Sequence, residues 1–474
     1  MKMASEGLQT ALARALGSDG VLVAPEDLAS YAFDAYSEDR LPAAAVLPRS
    51  AQEVAAVVRV ARAFGLPIVA RGAGTGLCGG AVPSSGGIVV SFARMNRILE
   101  IDPANRRALV QPGVVNLDLS TATAPNGLFF GPDPSSQKTS TLGGNAATNA
   151  GGPHALSYGS MSAHVLGLEY VDAASDIVWV SSDDAGYDLT GLLVGSEGTL
   201  AIVTALELRL LRFPRATSVG VAAFGDIDAA SACVSAIVAA GIAATALEIM
   251  DRTIVRAVEA HYRAGYPQDA GAVLLVEVAG EPSDVEASER AIAVFAREHG
   301  ALTWRAASSE RERHALWAAR KGAAGALGRI APNYYIQDAT VPRTRLPEAV
   351  RLVEAIAQEH RLPVGNVFHA GDGNLHPLLI FDRRERRQLE AVAAAGHDIL
   401  AACIGLGGTI SGEHGIGYEK RDTLPLVFNP DDIATMLRLR DVFDPTLAFN
   451  PGKIFPTGGV CAEVLEPAPT LART

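Results

Sequence analysis

The sequence predicts an α+β chain of two main domains, the first of them patterned like an α/β nucleotide-binding domain. Three observations carry this reading. From Ala43 to Leu211, short β-branched runs alternate with helical patterns and Gly-rich turns. After Phe213-Pro214 the pattern shifts to helices and strands such as Ala272-Val273-Leu274-Leu275-Val276-Glu277-Val278. The run Asp444 to Lys453 is too turn-rich for a core element and is expected to return toward the first domain. The expected division is a helical segment over 1–42, a nucleotide-binding domain over 43–214, a second domain over 215–440 and a return segment over 441–474.

Met1 to Gly17 has charges spaced through it and no apolar stretch of signal-peptide length, so it reads as a short amphipathic helix. Val46 leads into Ser50-Ala51-Gln52-Glu53, a capped start for a helix over Val54 to Phe64, and Leu66 to Ala70 then reads as a buried strand. Directly after that strand comes Arg71-Gly72-Ala73-Gly74-Thr75-Gly76-Leu77-Cys78-Gly79-Gly80-Ala81. Glycines there permit positive φ and close backbone approach, and successive amides cradle a phosphate oxyanion. Two further loops, Thr139 to Gly152 and Gly195 to Val203, strengthen the reading. One such loop is only a turn cluster; three in one α/β region point to a long phosphate-bearing cofactor. Ala229 to Leu247 lacks charge but is rich in Ala and Ser and is broken at Gly241, so it reads as helix, turn and strand rather than a membrane span.

The chain of 474 residues carries a net charge of -12 and no Lys/Arg-rich block, which argues against nucleic acid and anionic membrane as direct partners. Cys78, Cys233, Cys403 and Cys461 are scattered, with no Cys-x-x-Cys. The sequence therefore offers neither a disulfide framework nor four thiolates for an iron-sulfur cluster, and a reducing cytoplasm is expected.

Phe368-His369-Ala370-Gly371-Asp372-Gly373-Asn374-Leu375-His376 sets two histidines symmetrically about an Asp-Gly turn. With Asp372 and Gly373 as a two-residue loop, 369 pairs with 376, and directly opposed side chains sit about 5 Å apart at Cβ. Both imidazoles then reach one ion at about 2.1 Å. Seven-residue spacing also aligns two histidines on a helix, but the Gly-Asp-Gly-Asn centre opposes one. A histidine flanking a turn is more often packing or surface; Ser411-Gly412-Glu413-His414-Gly415, which offers a carboxylate and a third imidazole, tips the balance toward a divalent transition metal with a base beside it.

With these residues laid out, the chain resembles the flavin-dependent 2-hydroxy acid dehydrogenases of the vanillyl-alcohol oxidase and p-cresol methylhydroxylase superfamily. It is most similar there to the flavin-bearing subunits of bacterial glycolate oxidases. The motifs are Leu316-Trp317-Ala318-Ala319-Arg320-Lys321, Pro332-Asn333-Tyr334-Tyr335, Asn366 to Asn374, Ser411 to Gly417 and Asn450-Pro451-Gly452-Lys453. D-lactate and D-2-hydroxyglutarate dehydrogenases share several of them. The resemblance implies a two-part FAD-binding domain over 43–214, a substrate and metal domain with an antiparallel sheet over 215–440, and a C-terminal segment near the flavin.

It also implies roles. Arg71, Gly72, Gly74, Thr75, Gly76, Gly79 and Gly80 would surround the pyrophosphate, with Pro132, Thr141, Gly143, Gly144, Asn145 and Asn149 along the flavin. Glu197, Gly198 and Ile202 would lie near the adenosine, and Asn450 would join them from the return segment. Relatives with covalent flavin carry a histidine in the first loop where this chain has Thr75, so non-covalent FAD is expected; Cys78 and Ala201 also depart from the pattern. His369, His376 and Glu413 would hold zinc or a similar metal, His414 would be the base and Arg320 would hold a substrate carboxylate. Taken alone, Arg320 sits in a helical stretch where an arginine is more often solvated.

The implied reaction is oxidation of a small D-2-hydroxy acid, of the glycolate or D-lactate class, with hydride to FAD and the proton to His414. Electrons would leave through an acceptor protein or a quinone, or through iron-sulfur and second flavin-fold subunits; Cys461 resembles the end of such a flavin subunit. Any membrane association would be through partners. The alternatives are a D-2-hydroxyglutarate-type dehydrogenase, a metal-dependent hydrolase whose Gly-rich domain merely binds a nucleotide, and a non-catalytic flavin subunit.

Overall fold

A computed structural model of the chain describes residues 2–36 and 40–456. They divide into two units. One is formed by the described residues of Met1–Gly151, Gly159–Phe213 and Glu413–Pro467, the other by those of Gly152–Tyr158 and Pro214–Gly412. Cys461 lies outside the described residues.

The first unit holds two main sheets. In one, β1 (Val21–Leu22), β2 (Ala44–Val46), β3 (Ile68–Arg71) and β4 (Ile88–Ser91) are ordered β1-β2-β4-β3. Strands β2, β4 and β3 are parallel and β1 is antiparallel to β2. Ala44, Ala45, Val46, Ile88, Val89 and Val90 are all buried, as continuous apolar strands are when both faces of a parallel sheet are covered. Helix Ala51–Phe64 packs Val54, Val57, Val58 and Ala61 into that core. It starts three residues earlier than the expected Val54, because Ser50 caps it by accepting from the Glu53 amide, and Gly65 ends it at φ 62°. The expected strand Leu66 to Ala70 is shifted to Ile68–Arg71; Pro67 has no N–H to give to a ladder.

The other sheet is antiparallel. It comprises β5 (Ile98–Asp102), β6 (Arg107–Val110), β8 (Val165–Val171), β9 (Ile177–Ser181) and β10 (Ile202–Arg209), ordered β5-β6-β10-β8-β9. Between them, β7 (Leu128–Phe129) pairs with β11 (Leu211–Arg212). The turn-rich run after Asp444 extends the edge of β3. Ile68 N donates to Ala448 O at 2.7 Å and Asn450 N to Ile68 O at 2.7 Å. Buried Asp444 holds that run by accepting from the Ala448 and Phe449 amides.

The second unit is built on one antiparallel sheet. Its strands are β12 (Ala216–Phe224), β13 (Ala244–Asp251), β14 (Ala272–Gly280), β15 (Thr303–Ala306), β16 (Asn333–Ile336), β17 (Ala339–Thr340), β18 (Val364–His369) and β19 (Asn374–Phe381). The order is β15-β12-β14-β13-β18-β19-β16, with β17 also pairing β19. One face carries a core of Met250, Val255, Leu275, Leu316, Ala319, Val367 and Leu378. The uncharged stretch at 229–247 is helix Ile227–Ala239, a turn at Gly241 with φ 70°, and the start of β13. Among the described residues no helix is long and apolar enough to cross a membrane.

Candidate active site

In the first unit the three glycine loops interlock. Arg71 ends β3 with its guanidinium buried, donating to Phe33 O at 2.6 Å, and burial pulls its pKa down. A Cβ on Gly72 would lie 2.2 Å from Thr141 Oγ1, and one on Gly74, at φ +72°, 2.2 Å from Arg71 Nη2. Those two positions admit only glycine. Gly76 O accepts from the Ala35 amide, and Thr75 stands beside it. Thr141 caps the short helix Leu142–Ala147, accepting from Gly144 N, while a Cβ on Gly143 would meet Pro112 Cβ at 2.4 Å. Pro132 offers its carbonyl to Asn116 Nδ2 at 3.0 Å.

Asn149, at φ 50°, accepts from Ser160 Oγ and the Ser162 amide through its side chain. Gly198 has φ +68°, and Ile202 opens β10 in the core. Asn450 Nδ2 donates to Gly80 O at 2.9 Å and Glu197 O at 2.8 Å, and Lys453 Nζ donates to Gly79 O at 2.6 Å. The Glu197 carboxylate, expected at the cofactor, is engaged by the Ile416 and Gly417 amides at 2.7 and 2.8 Å; its pKa is pushed up by burial. It anchors the backbone that follows His414.

These loops suit a polar dinucleotide. Asn145 Nδ2, Ser140 Oγ and Asn450 Oδ1 are buried with no hydrogen-bond partner among the described residues, as fits groups that a bound polar ligand would serve.

In the second unit the histidine hairpin has a different register from the one expected. His369 faces Asn374 and His376 faces Val367, around a four-residue loop Ala370–Gly373. Arg343 Nη1 holds the loop through Gly371 O at 2.9 Å, and Gly373, at φ +84°, lies so close to Val341 O that a Cβ would meet it at 2.2 Å. A slip of two residues keeps the side-chain face, because the strand period is two. The rings therefore still meet, centroids 5.0 Å apart at 86°, both buried.

His369 Nδ1 lies 2.8 and 2.9 Å from the two oxygens of Glu248, which is fully buried on β13 and stands directly opposite it in the ladder. His376 Nδ1 donates to Gln337 O at 3.4 Å and is 4.0 Å from Asp338 Oδ1. Arg320, expected from the sequence alone to be solvated, is 4% exposed. It sits in the last turn of helix Glu310–Lys321, where a cation suits the dipole, and its guanidinium forms an ion pair with Glu248. Nη2 is the atom that meets Glu248 Oε2, and Nε has no hydrogen-bond partner among the described residues.

Asp338 Oδ2 accepts from Ser411 Oγ at 2.7 Å and Gly412 N at 3.1 Å. A Cβ on Gly412 would meet Asn374 Cγ at 2.5 Å, so glycine is required where this strand of chain presses on the hairpin. One peptide further, Glu413 and His414 begin the last stretch of the first unit; His414 Nε2 is 3.9 Å from Glu413 Oε1. Glu248 and Asp338 were not singled out from sequence. The available signal for Glu248 was a lone carboxylate inside the apolar run Ala244 to Met250.

The glycine loops, the buried histidine pair and Arg320 fit a flavin-dependent oxidoreductase, and the family matches establish that class. Residues 42–181 match the FAD binding domain family and residues 213–454 match the family of FAD linked oxidases, C-terminal domain. The chain is 42% identical to the glycolate oxidase subunit GlcD of Escherichia coli strain K12, over 94% of this chain and 90% of that one. It is 41% identical to GlcD of Bacillus subtilis (90% and 92%) and 33% identical to a D-lactate dehydrogenase of Anaerostipes hadrus (87% and 89%). In fold it is similar to 4-ethylphenol oxidase from Gulosibacter chungangensis (TM-score 0.80, 18% identity, 96% and 98% covered) and to p-cresol methylhydroxylase (0.78, 16%, 96% and 97%). The chain belongs to the FAD-linked oxidases.

Proposed function

We propose that the chain oxidises a small D-2-hydroxy acid, of the glycolate or D-lactate class, to the 2-oxo acid, using non-covalent FAD and a divalent metal held by His369, His376 and Glu413. The observation that carries it is Arg320: a buried guanidinium whose Nε is unpartnered among the described residues, on the same sheet face as two buried imidazoles. Two imidazoles and a carboxylate, the donors that His369, His376 and Glu413 offer, suit zinc or a similar ion. The relatives named glycolate oxidase subunit and D-lactate dehydrogenase support the substrate class.

FAD, held by the glycine loops, would supply a hydride acceptor, and a metal held by His369, His376 and Glu413 would supply polarisation of the substrate hydroxyl. The chain's own residues do the rest. Arg320 fixes the substrate carboxylate through two parallel N–H donors, which orients one face of C2. His414 accepts the hydroxyl proton on its imidazole. The interlocked loops at Gly72, Gly143 and Asn450 hold the cofactor, and Thr75 in place of a histidine leaves it without a covalent link. Acid precipitation should release the yellow chromophore from the polypeptide.

Electrons then leave to an acceptor protein or quinone. The relatives named as subunits favour partner subunits, and a membrane would be reached only through them. Membership of the FAD-linked oxidases runs against a metal-dependent hydrolase, and Arg320 together with the histidine pair against a flavin subunit without catalysis. The test is anaerobic bleaching of the bound flavin by a panel of D- and L-2-hydroxy acids that includes D-2-hydroxyglutarate. D-lactate or glycolate should bleach it fastest; a preference for D-2-hydroxyglutarate or for L isomers refutes the substrate assignment.

A further inference from the structure

Glu248 occupies a place in the second unit that the reaction scheme above leaves unexplained. It lies on β13, between β14 and β18, opposite Leu275 on one side and His369 on the other. Its side chain is fully buried, and burying a carboxylate is costly unless it is paired and hydrogen-bonded. It has two partners of different kinds. Both oxygens face His369 Nδ1, at 2.8 and 2.9 Å, and Oε2 also meets the Arg320 guanidinium.

We propose that Glu248 is a positioning residue with two dependants: it fixes the tautomer and orientation of His369 for the metal, and it seats Arg320 for the substrate carboxylate. The proposal rests on the reading of His369 as a metal ligand. An ionised carboxylate only accepts, so the proton of His369 is held on Nδ1 and the ligating lone pair falls on Nε2. The same charge holds the guanidinium at a defined place through Nη2 while leaving Nε for a second anion. One side chain thus ties metal affinity to carboxylate recognition.

The geometry makes the isosteric amide a sharp probe. Arg320 only donates and meets Oε2, so a glutamine turns its carbonyl oxygen to that position and sets its NH2 at the Oε1 position, 2.8 Å from His369 Nδ1. The donor would favour the tautomer with the proton on Nε2, which cannot ligate a metal. A shorter aspartate keeps the charge and should restore part of the effect.

The experiment uses the flavin-loaded enzyme as wild type, E248Q, E248D and H369A. Zinc affinity is measured by chelator competition, flavin content by absorption, and KM and kcat with D-lactate. We expect E248Q to keep its flavin while binding zinc about 10- to 100-fold more weakly, the usual cost of losing the partner of a ligating imidazole. KM should rise in E248Q even at saturating zinc, and E248D should fall between E248Q and wild type in zinc affinity. Wild-type zinc affinity in E248Q beside an H369A that has lost it overturns the role of Glu248 alone. Wild-type affinity in both overturns the metal assignment and this role with it. If E248Q does not fold, E248D decides: zinc affinity equal to wild type with an unchanged KM overturns the proposal, and a loss of both supports it.

Discussion

Asn450 donates its side-chain amide to the main-chain carbonyl of Glu197 at 2.8 Å, and the same nitrogen reaches Gly80 O at 2.9 Å. One side chain from the return segment therefore clasps the first and third glycine loops. Asn450→Ala would leave two carbonyls without that donor, at about 1–3 kcal/mol for each buried group left unsatisfied. The variant should purify with less flavin per polypeptide and a lower Tm. Full flavin content at wild-type Tm would show that the clasp does not matter to the cofactor.

His376→Ala should remove the metal while leaving FAD in place, because the hairpin belongs to the second unit and the glycine loops to the first. Losing one ligand of three should exceed the 10- to 100-fold typical of losing an outer partner. Elemental analysis beside flavin absorption checks it. Metal retained at the wild-type ratio would refute the ligand role.

Arg320→Lys should raise KM for the hydroxy acid about tenfold or more, since an ammonium cannot reproduce the planar fork, and one lost charge-assisted hydrogen bond is worth about 1.5–3 kcal/mol. Its shorter reach should also strain the pairing with Glu248. Steady-state kinetics decide, and an unchanged KM would remove the carboxylate from Arg320.

His414→Ala should slow anaerobic flavin reduction by substrate about 100- to 10,000-fold while metal and FAD stay bound, as expected of a general base. Stopped-flow reduction at saturating substrate gives the answer. Bleaching at the wild-type rate would leave the proton acceptor to be sought elsewhere.

The sequence made some of this site legible for identifiable reasons. Glycine loops are local, so Arg71 to Ala81 could be placed directly after a strand, and Ser50 marked its helix start. The histidine face was readable because strand alternation survives a register slip of two. The loop length was not, since Arg343 and Val341, which clamp Gly371 and Gly373, come from elsewhere in the chain. Glu248 escaped notice for a related reason. Its meaning depends on being paired with a strand that lies 121 residues later, and no local pattern announces that neighbour. The burial of Arg320 was equally hidden, because the helix pattern around it reads as polar until Glu248 supplies the counter-charge.

The excursion Gly152–Tyr158 has a consequence for how the molecule is assembled on the ribosome. It follows directly on the second glycine loop, yet it belongs to the second unit: Leu156 lies against Gly371, where an added Cβ would come within 2.5 Å, and His154 Nε2 is 3.1 Å from Glu277 Oε1. The Glu277 carboxylate also accepts from Trp317 Nε1 at 2.6 Å. The second unit is thus not a contiguous stretch of sequence, and a fragment beginning at Pro214 lacks a piece of its own interior. The first unit, by contrast, waits for Glu413 and the run to Lys453, synthesised after the described residues of the other unit. The first unit therefore closes last, when the chain is nearly finished.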